Sequence, residues 1–217
     1  MYALVRHPAS VPDLPGIDDG PLRALPVAGD GVDAVVSETR TGTAPSEAAI
    51  MAHARVVEAV AAANESVLPA RFAGDVSAEA ELSRILGERR DKILEALDRV
   101  DGCVELGVRV LPAQDDSRGQ AATGSEYMRR RLDEIARAQQ LAHRLHGALA
   151  AAARESTCNV LARRDVVLTA AYLVPRGDLD RFHATLREAE RQLAGVTVVA
   201  TGPWPPYSFA LLEADGA

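Results

Sequence analysis

Aromatic residues are scarce in this chain: phenylalanine, tyrosine and tryptophan together make up 4% of its 217 residues. A surface that binds nucleic acid by stacking bases needs exposed rings, and this supply is thin. Lysine is scarcer still. Lys92 is the only one, so nearly all positive charge is arginine. That bias fits a GC-rich coding sequence and, locally, fixed guanidinium pairing. Net charge is −7 and the pI is near 5.3. The chain therefore lacks the bulk basic charge of a nucleic-acid binder, while a local basic patch stays compatible with it.

There are only two cysteines, Cys103 and Cys158, both in apolar, strand-like settings. They read as small buried hydrophobes in a reducing compartment, with a disulfide as the alternative. Long hydrophobic runs are missing too. The longest, residues 166–174 and 145–153, reach about half of the roughly 18 apolar residues needed to span a membrane. Residues 1–6 carry no charged stretch ahead of a long apolar one, so they do not read as a secretory signal. The expectation is a soluble, cytoplasmic protein. No G-x-x-x-x-G-K-[ST] phosphate loop, no G-x-G-x-x-G after a strand and no nucleophile elbow occurs.

What is present is enough to build a core, since 47% of the residues are hydrophobic and 25% charged. Residues 2–5 are β-compatible. Prolines 8, 12 and 15 then enforce a loop. Residues 22–27 and 32–38 flank the Gly29-Asp30-Gly31 turn and predict a hairpin, with Pro26 marking an edge strand. Ser46 is placed to cap a helix over 47–63, with Ile50, Val56, Val57 and Val60 on its apolar side. Residues 67–72 are extended. Ser77 is placed to cap one long helix to about Val100.

The second half starts with strict alternation over 103–111: Val104, Leu106, Val108 and Val110 on one face, Glu105, Gly107 and Arg109 on the other. A polar loop, 112–125, leads into a helical pattern over about 126–155. Unbroken, that helix would be roughly 45 Å long, more than one small sheet can cover, so a kink near Gly147 or a projecting end is expected. Strands over 158–161 and 166–174, a helix from Asp178 to about Leu193 and a strand over 196–201 complete the order β, α, β, β, α, β. That is the split βαβ, ferredoxin-like arrangement. The predicted fold class is α+β in two domains. Residues 1–100 form a modified ferredoxin-like unit; residues 101–217 form a ferredoxin-like domain carrying the long helix.

Few residues are marked for chemistry. His143 and His146 share a helix face at i, i+3, but no matching Glu or Cys completes a metal set, so no metal or cofactor site is assigned. Arg129, Arg130 and Arg131 sit at the start of the long helix, where the dipole disfavours positive charge. They read either as a solvated face paired with Glu126, Asp133 and Glu134, or as a docking patch for an acidic partner. Residues 148–153 are alanine-rich and permit close helix packing. The scarce aromatics gather at the end: Trp204, Tyr207 and Phe209 are set among Pro203, Pro205 and Pro206. Proline fixes φ and removes a donor, so this segment is stiff and extended. Its rings suit packing into the chain's own core or recognition of a partner.

Five segments together carry a resemblance. Tyr2-Ala3-Leu4-Val5, Val67-Leu68-Pro69-Ala70-Arg71-Phe72, Gly102 with Glu105-Leu106-Gly107-Val108, Gly124-Ser125-Glu126-Tyr127-Met128 and Thr201-Gly202-Pro203-Trp204-Pro205-Pro206-Tyr207-Ser208-Phe209 resemble, in order, motifs of the gas vesicle protein F / gas vesicle protein L family (GvpF/GvpL). Met128 stands where leucine is usual. F-type and L-type members share these motifs. The resemblance implies two α+β domains of ferredoxin-like character and no catalysis. It implies an accessory or minor structural protein of gas vesicles that acts in nucleation and assembly. The implied partners are the main shell protein, gas vesicle protein A, and other accessory proteins, with neither nucleic acid nor membrane. A small, apolar shell subunit would need shielding before assembly. The long helix and the residues Trp204, Tyr207, Phe209, Arg129 and Arg130 are the candidate contacts. The alternative is an enzyme or ligand-binding protein on a ferredoxin-like scaffold, which hosts many activities.

Overall fold

The computed structural model describes residues 1–39, 46–72, 78–112, 123–161, 166–193 and 195–210. Its contacts divide the chain into two compact units, Met1–Val104 with Trp204–Ala217, and Glu105–Pro203. The sequence predicts domains of 1–100 and 101–217; in the structure the closing segment clusters with the first unit.

The first unit is a four-stranded antiparallel sheet of β1 (Ala3–Arg6), β2 (Arg23–Pro26), β3 (Val32–Val36) and β4 (Val67–Pro69), in the order β2-β3-β1-β4. The expected hairpin is there, with Pro26 on the edge strand as its missing N–H demands. Gly29, Asp30 and Gly31 all take positive φ, 96°, 62° and 86°. Every residue of β3 is buried, as are Ala3, Leu4 and Val5 of β1. Such continuous burial means both faces are covered. Helix α1 (Glu47–Ala63) places Val56, Val57, Val60 and Ala61 against Ala3, Val5, Val35 and Val67. Ser46 caps it, its hydroxyl accepting from the Ala49 N–H at 3.1 Å, and Asn64 ends it. Ile50, expected on the apolar side, is 47% exposed; at that end of the helix Ala49 and His53 are the buried residues.

The single helix expected over 77–100 is two helices. α2 (Glu79–Gly87) packs on β2, and α3 (Arg90–Val100) packs on β1, β3 and β4 with Ile93, Leu97 and Val100 buried. The break follows Gly87, where a Cβ would lie 2.9 Å from the Ala28 Cβ, so only glycine allows that approach. The Ser77 cap and the turn at Gly74 fall outside the described residues.

The second unit is also a four-stranded antiparallel sheet. It holds β5 (Cys103–Pro112), β6 (Glu155–Val160), β7 (Leu168–Pro175) and β8 (Val196–Trp204), in the order β6-β7-β5-β8. Helices α4 (Gly124–Ala150) and α5 (Leu179–Arg191) pack together over it. Leu106, Val108 and Val110 enter the core with Leu141, Leu145, Leu149, Tyr172 and Phe182, as the alternation of β5 requires. Numbered within each unit, both sheets have the same spatial order: second, third, first, fourth strand. The first unit differs because a loop with a 3-10 turn at Ile17–Asp19 stands where the second has α4. That is the modification of the ferredoxin-like layout.

Several boundaries differ from expectation. α4 spans 124–150, not 126–155, and no kink is needed at Gly147. Thr123 caps it, accepting from the Glu126 N–H at 3.1 Å. Glu155, read as the end of that helix, already belongs to β6, which begins three residues ahead of the strand expected over 158–161. Asp178 precedes α5 without capping it through its side chain; its carboxylate pairs with Arg181 at 3.5 Å. β8 runs past Thr201 to Trp204, which Pro203 permits because β8 is an edge strand. Much of the loop expected over 112–125 lies outside the described residues.

Candidate functional site

The closing segment belongs to the first unit and is held from below. Pro205 and Pro206 are buried, Phe209 is 3% exposed and Tyr207 is half-buried. Tyr207 packs on the core that contains Tyr2, Val5 and Val57. Burial, with the Glu58 carboxylate as a second cause, pushes its phenol pKa up. The backbone folds into a tight turn: the Tyr207 N–H donates to the Pro205 carbonyl at 2.8 Å, and the Phe209 N–H to that of Pro206 at 3.1 Å. Arg99 Nη2 donates to the Phe209 carbonyl at 2.7 Å. Phe209 thus anchors the segment. Trp204 stands at its outer end, 45% exposed, between the cis Gly202–Pro203 peptide and the buried prolines. A large ring half in water on a frame this stiff loses little freedom when something covers it.

Beside that core lies His53, which spacing alone did not mark. Its ring sits 5.1 Å from that of Tyr2 and 5.6 Å, edge-on, from that of Phe72. Its Nε2 is 2.9 Å from the Ala70 carbonyl and donates to it. Burial lowers its pKa, against the opposing pull of that hydrogen bond. The extended run Pro69-Ala70-Arg71-Phe72 therefore wraps a buried, neutral imidazole, while Arg71 itself is exposed.

In the second unit the candidate surface is the first half of α4. The helix buries nothing before Ala138; its buried side chains are Ala138, Leu141, Ala142, Leu145 and Leu149. The preceding stretch, 124–137, is roughly 20 Å of helix. On it Tyr127, Met128 and Leu132 are 57%, 56% and 62% exposed. Met128, Leu132 and the half-buried Ile135 fall at i, i+4 and i+7 and form one apolar stripe. The period-3.6 pattern that continues it into 138–149 is what makes the whole run read as core in sequence. Arg129 and Arg130 are exposed beside the stripe. Arg130 pairs with Glu126, and Arg131 with Glu134 at 3.4 Å, as their i±3 and i±4 spacing requires.

His146, read in sequence as sharing a face with His143, has its Nδ1 3.1 Å from the Tyr172 hydroxyl. The Tyr172 ring lies 5.2 Å from that of Phe182, and burial pushes the phenol pKa up. His146 is thus engaged with the core. Burial also raises the Cys158 thiol pKa, which disfavours the reactive thiolate. A shallow depression lies between the β2–β3 turn and α2, next to Ala28, Gly29 and Gly87. The Ser83 hydroxyl there is committed to the Ala28 N–H at 3.1 Å and the Pro26 carbonyl at 3.0 Å. Among the described residues no cluster of His, Cys, Asp and Glu is arranged to hold a metal ion, and no helix is long and apolar enough to cross a membrane.

Comparison with known proteins places these features. The family model described as "Gas vesicle synthesis protein GvpL/GvpF" matches residues 1–211. Gas vesicle protein L of Streptomyces sp. (strain CB03234) is 35% identical, over 89% of this chain and 75% of its own. Gas vesicle protein F2 of Halobacterium salinarum is 31% identical, over 88% and 81%. In fold, the chain superposes on the crystal structure of GvpF from Microcystis aeruginosa with a TM-score of 0.78 at 20% identity, covering 97% of this chain and 98% of that one. The GvpF structure from Anabaena sp. PCC7120 gives 0.79 at 18% identity. A family match along nearly the whole sequence, relatives above 30% identity and the shared two-sheet fold agree: this chain belongs to the GvpL/GvpF family of gas vesicle proteins.

Proposed function

We propose that this chain is a cytoplasmic, non-enzymatic accessory protein of gas vesicles, acting in their nucleation and assembly by binding the main shell protein, gas vesicle protein A, and other accessory proteins. Family membership supports the accessory role. The observation that carries the binding reading is the apolar stripe Met128–Leu132–Ile135 on the part of α4 that covers no core. Tyr127, Met128 and Leu132, each more than half exposed within six residues of one helix, are unusual on a surface with no partner. The arginines beside the stripe give it a polar rim, the arrangement expected of an interface. Trp204 is the second contact in this reading, since exposed tryptophan on a rigid support is a frequent energetic centre of interfaces.

Co-purification of tagged full-length chain with the shell protein tests this. Leu132→Glu and Trp204→Ala, each confirmed as folded by circular dichroism, are expected to lower recovery of the shell protein at least severalfold. Undiminished recovery with both folded variants would remove these surfaces as contacts. Failure of the wild-type chain to recover the shell protein would remove the partner.

A further inference from the structure

Sheet edges expose unpaired backbone N–H and C=O groups, and proteins usually blunt them with charge, proline or short length. Three of the four edges here are blunted in these ways. β2 carries Arg23, paired with Glu79, and ends on Pro26. β4 is three residues long and ends on Pro69. β6 opens on a charge, Glu155. The fourth, β8, has Pro203 only at its far end and is otherwise different. Its Val196-Thr197-Val198-Val199-Ala200-Thr201 run has no charge and no proline, and five of its six residues are β-branched. Thr197, Val199, Ala200 and Thr201 are exposed. This is the composition of a strand that pairs.

We propose that the free edge of β8 is an interaction surface whose occupant is β8 of a second copy of this chain, in antiparallel register about Val199. The sequence is self-complementary in that register. Val199 meets its own equivalent, Thr197 meets Thr201, and Val198 meets Ala200. Each pair lies on one face of the sheet, and like β-branched or threonine pairs across strands are favourable. No charge opposes a like charge. Gly195 and Pro203 bound the ladder at its two ends, where proline has no N–H to give. The two four-stranded sheets become one continuous sheet across a two-fold axis, the commonest symmetry of soluble oligomers. Val196 and Val198, half-buried at the rim of their own core, gain cover from the partner's strand. A strand of a different protein would find the same backbone groups but not the matched side-chain register.

The test uses the full chain. Sedimentation equilibrium is expected to show a reversible dimer. Val199→Lys places like charges opposite one another at the two-fold axis and is expected to weaken that dimer about tenfold or more, with the circular dichroism spectrum unchanged. Val199→Cys is expected to crosslink to its own equivalent under mild oxidation, because directly opposed strand residues lie within disulfide reach. Glu155→Cys on the opposite edge and the wild-type chain are expected not to. If Val199→Lys fails to fold, the crosslinking comparison decides alone. A wild-type chain that stays monomeric up to its solubility limit overturns the proposal. So does a dimer indifferent to Val199→Lys, or crosslinking no faster at residue 199 than at residue 155. A monomer whose β8 amides are protected only when another protein is added would assign the edge to that protein instead.

Discussion

At the scale of single residues, the first unit depends on a tight polar knot around Tyr2. Its hydroxyl lies 2.8 Å from the Ser37 hydroxyl and accepts from the Ile17 N–H at 2.7 Å. Gly16 sits against both: a Cβ there would fall 2.6 Å from the Tyr2 hydroxyl and from Ser37 Oγ. Gly16→Ala must therefore push the knot apart and is expected to cost about 2 kcal/mol in urea unfolding, the usual scale of overpacking. His53 sets a pH dependence. Its folded pKa lies below the ordinary value of 6.5, so the fold prefers the neutral ring. Its contribution is fully present above about pH 6.5, where the unfolded ring is neutral too, and is lost as pH falls toward the folded pKa. Stability measured against pH is expected to decline through that window, and His53→Gln, whatever its cost at neutral pH, to flatten the decline. Neither feature was legible beforehand. Nothing in the proline-rich loop singles out Gly16, and nothing local distinguishes a histidine that will be enclosed by Tyr2 and Phe72 from one that will not.

At the scale of elements, α4 is one helix with two surroundings. Leu149 is fully buried and Leu132 is 62% exposed. Leu149→Ala is expected to cost about 3 kcal/mol, through lost contacts and the cavity left behind. Leu132→Ala is expected to stay within about 0.5 kcal/mol. Thermal denaturation of the two variants checks the contrast, and equal losses would mean that the exposed stripe is part of the fold. The periodicity of α4 was legible, as were the alternation of β5, the Ser46 cap and the edge position of Pro26. Each is a local pattern whose cause lies within a few residues. The division between α2 and α3 was not, because it follows from Gly87 meeting Ala28 across the fold. The change from core to surface along α4 was not either. An apolar stripe looks the same in sequence whether a sheet lies beneath it or not. The aromatic segment was legible as stiff, yet its division into anchor and exposed ring was set by Arg99 and Tyr2, far away in the chain.

At the scale of the whole molecule, the same strand order is used twice, once with a helix in the first crossover and once with a loop. The sequence showed the second instance plainly, since its elements follow the βαββαβ order. It showed the first only as a modified version of that unit, because the missing helix leaves a run of prolines in its place. The first unit is completed by the chain's closing segment. Phe209→Ala is expected to destabilise that unit by about 3–4 kcal/mol, as loss of a buried phenylalanine does. Trp204→Ala, at a half-exposed ring, is expected to cost much less. Hydrogen exchange on the β1–β4 amides distinguishes the two: only Phe209→Ala should loosen them.

That closure has a consequence for how the protein is made. Val104 leaves the ribosome a hundred residues before Trp204 does. At about 5–20 residues per second, the first sheet waits roughly 5–20 s for the piece that covers it. Throughout that interval the core that Tyr207 packs against lacks that cover on the nascent chain. The second unit, whose strands are contiguous in sequence, is translated inside the gap. Final consolidation of the first unit is therefore late, after the second unit has been translated, and a chain arrested before residue 204 carries an incomplete first unit whatever the state of the second.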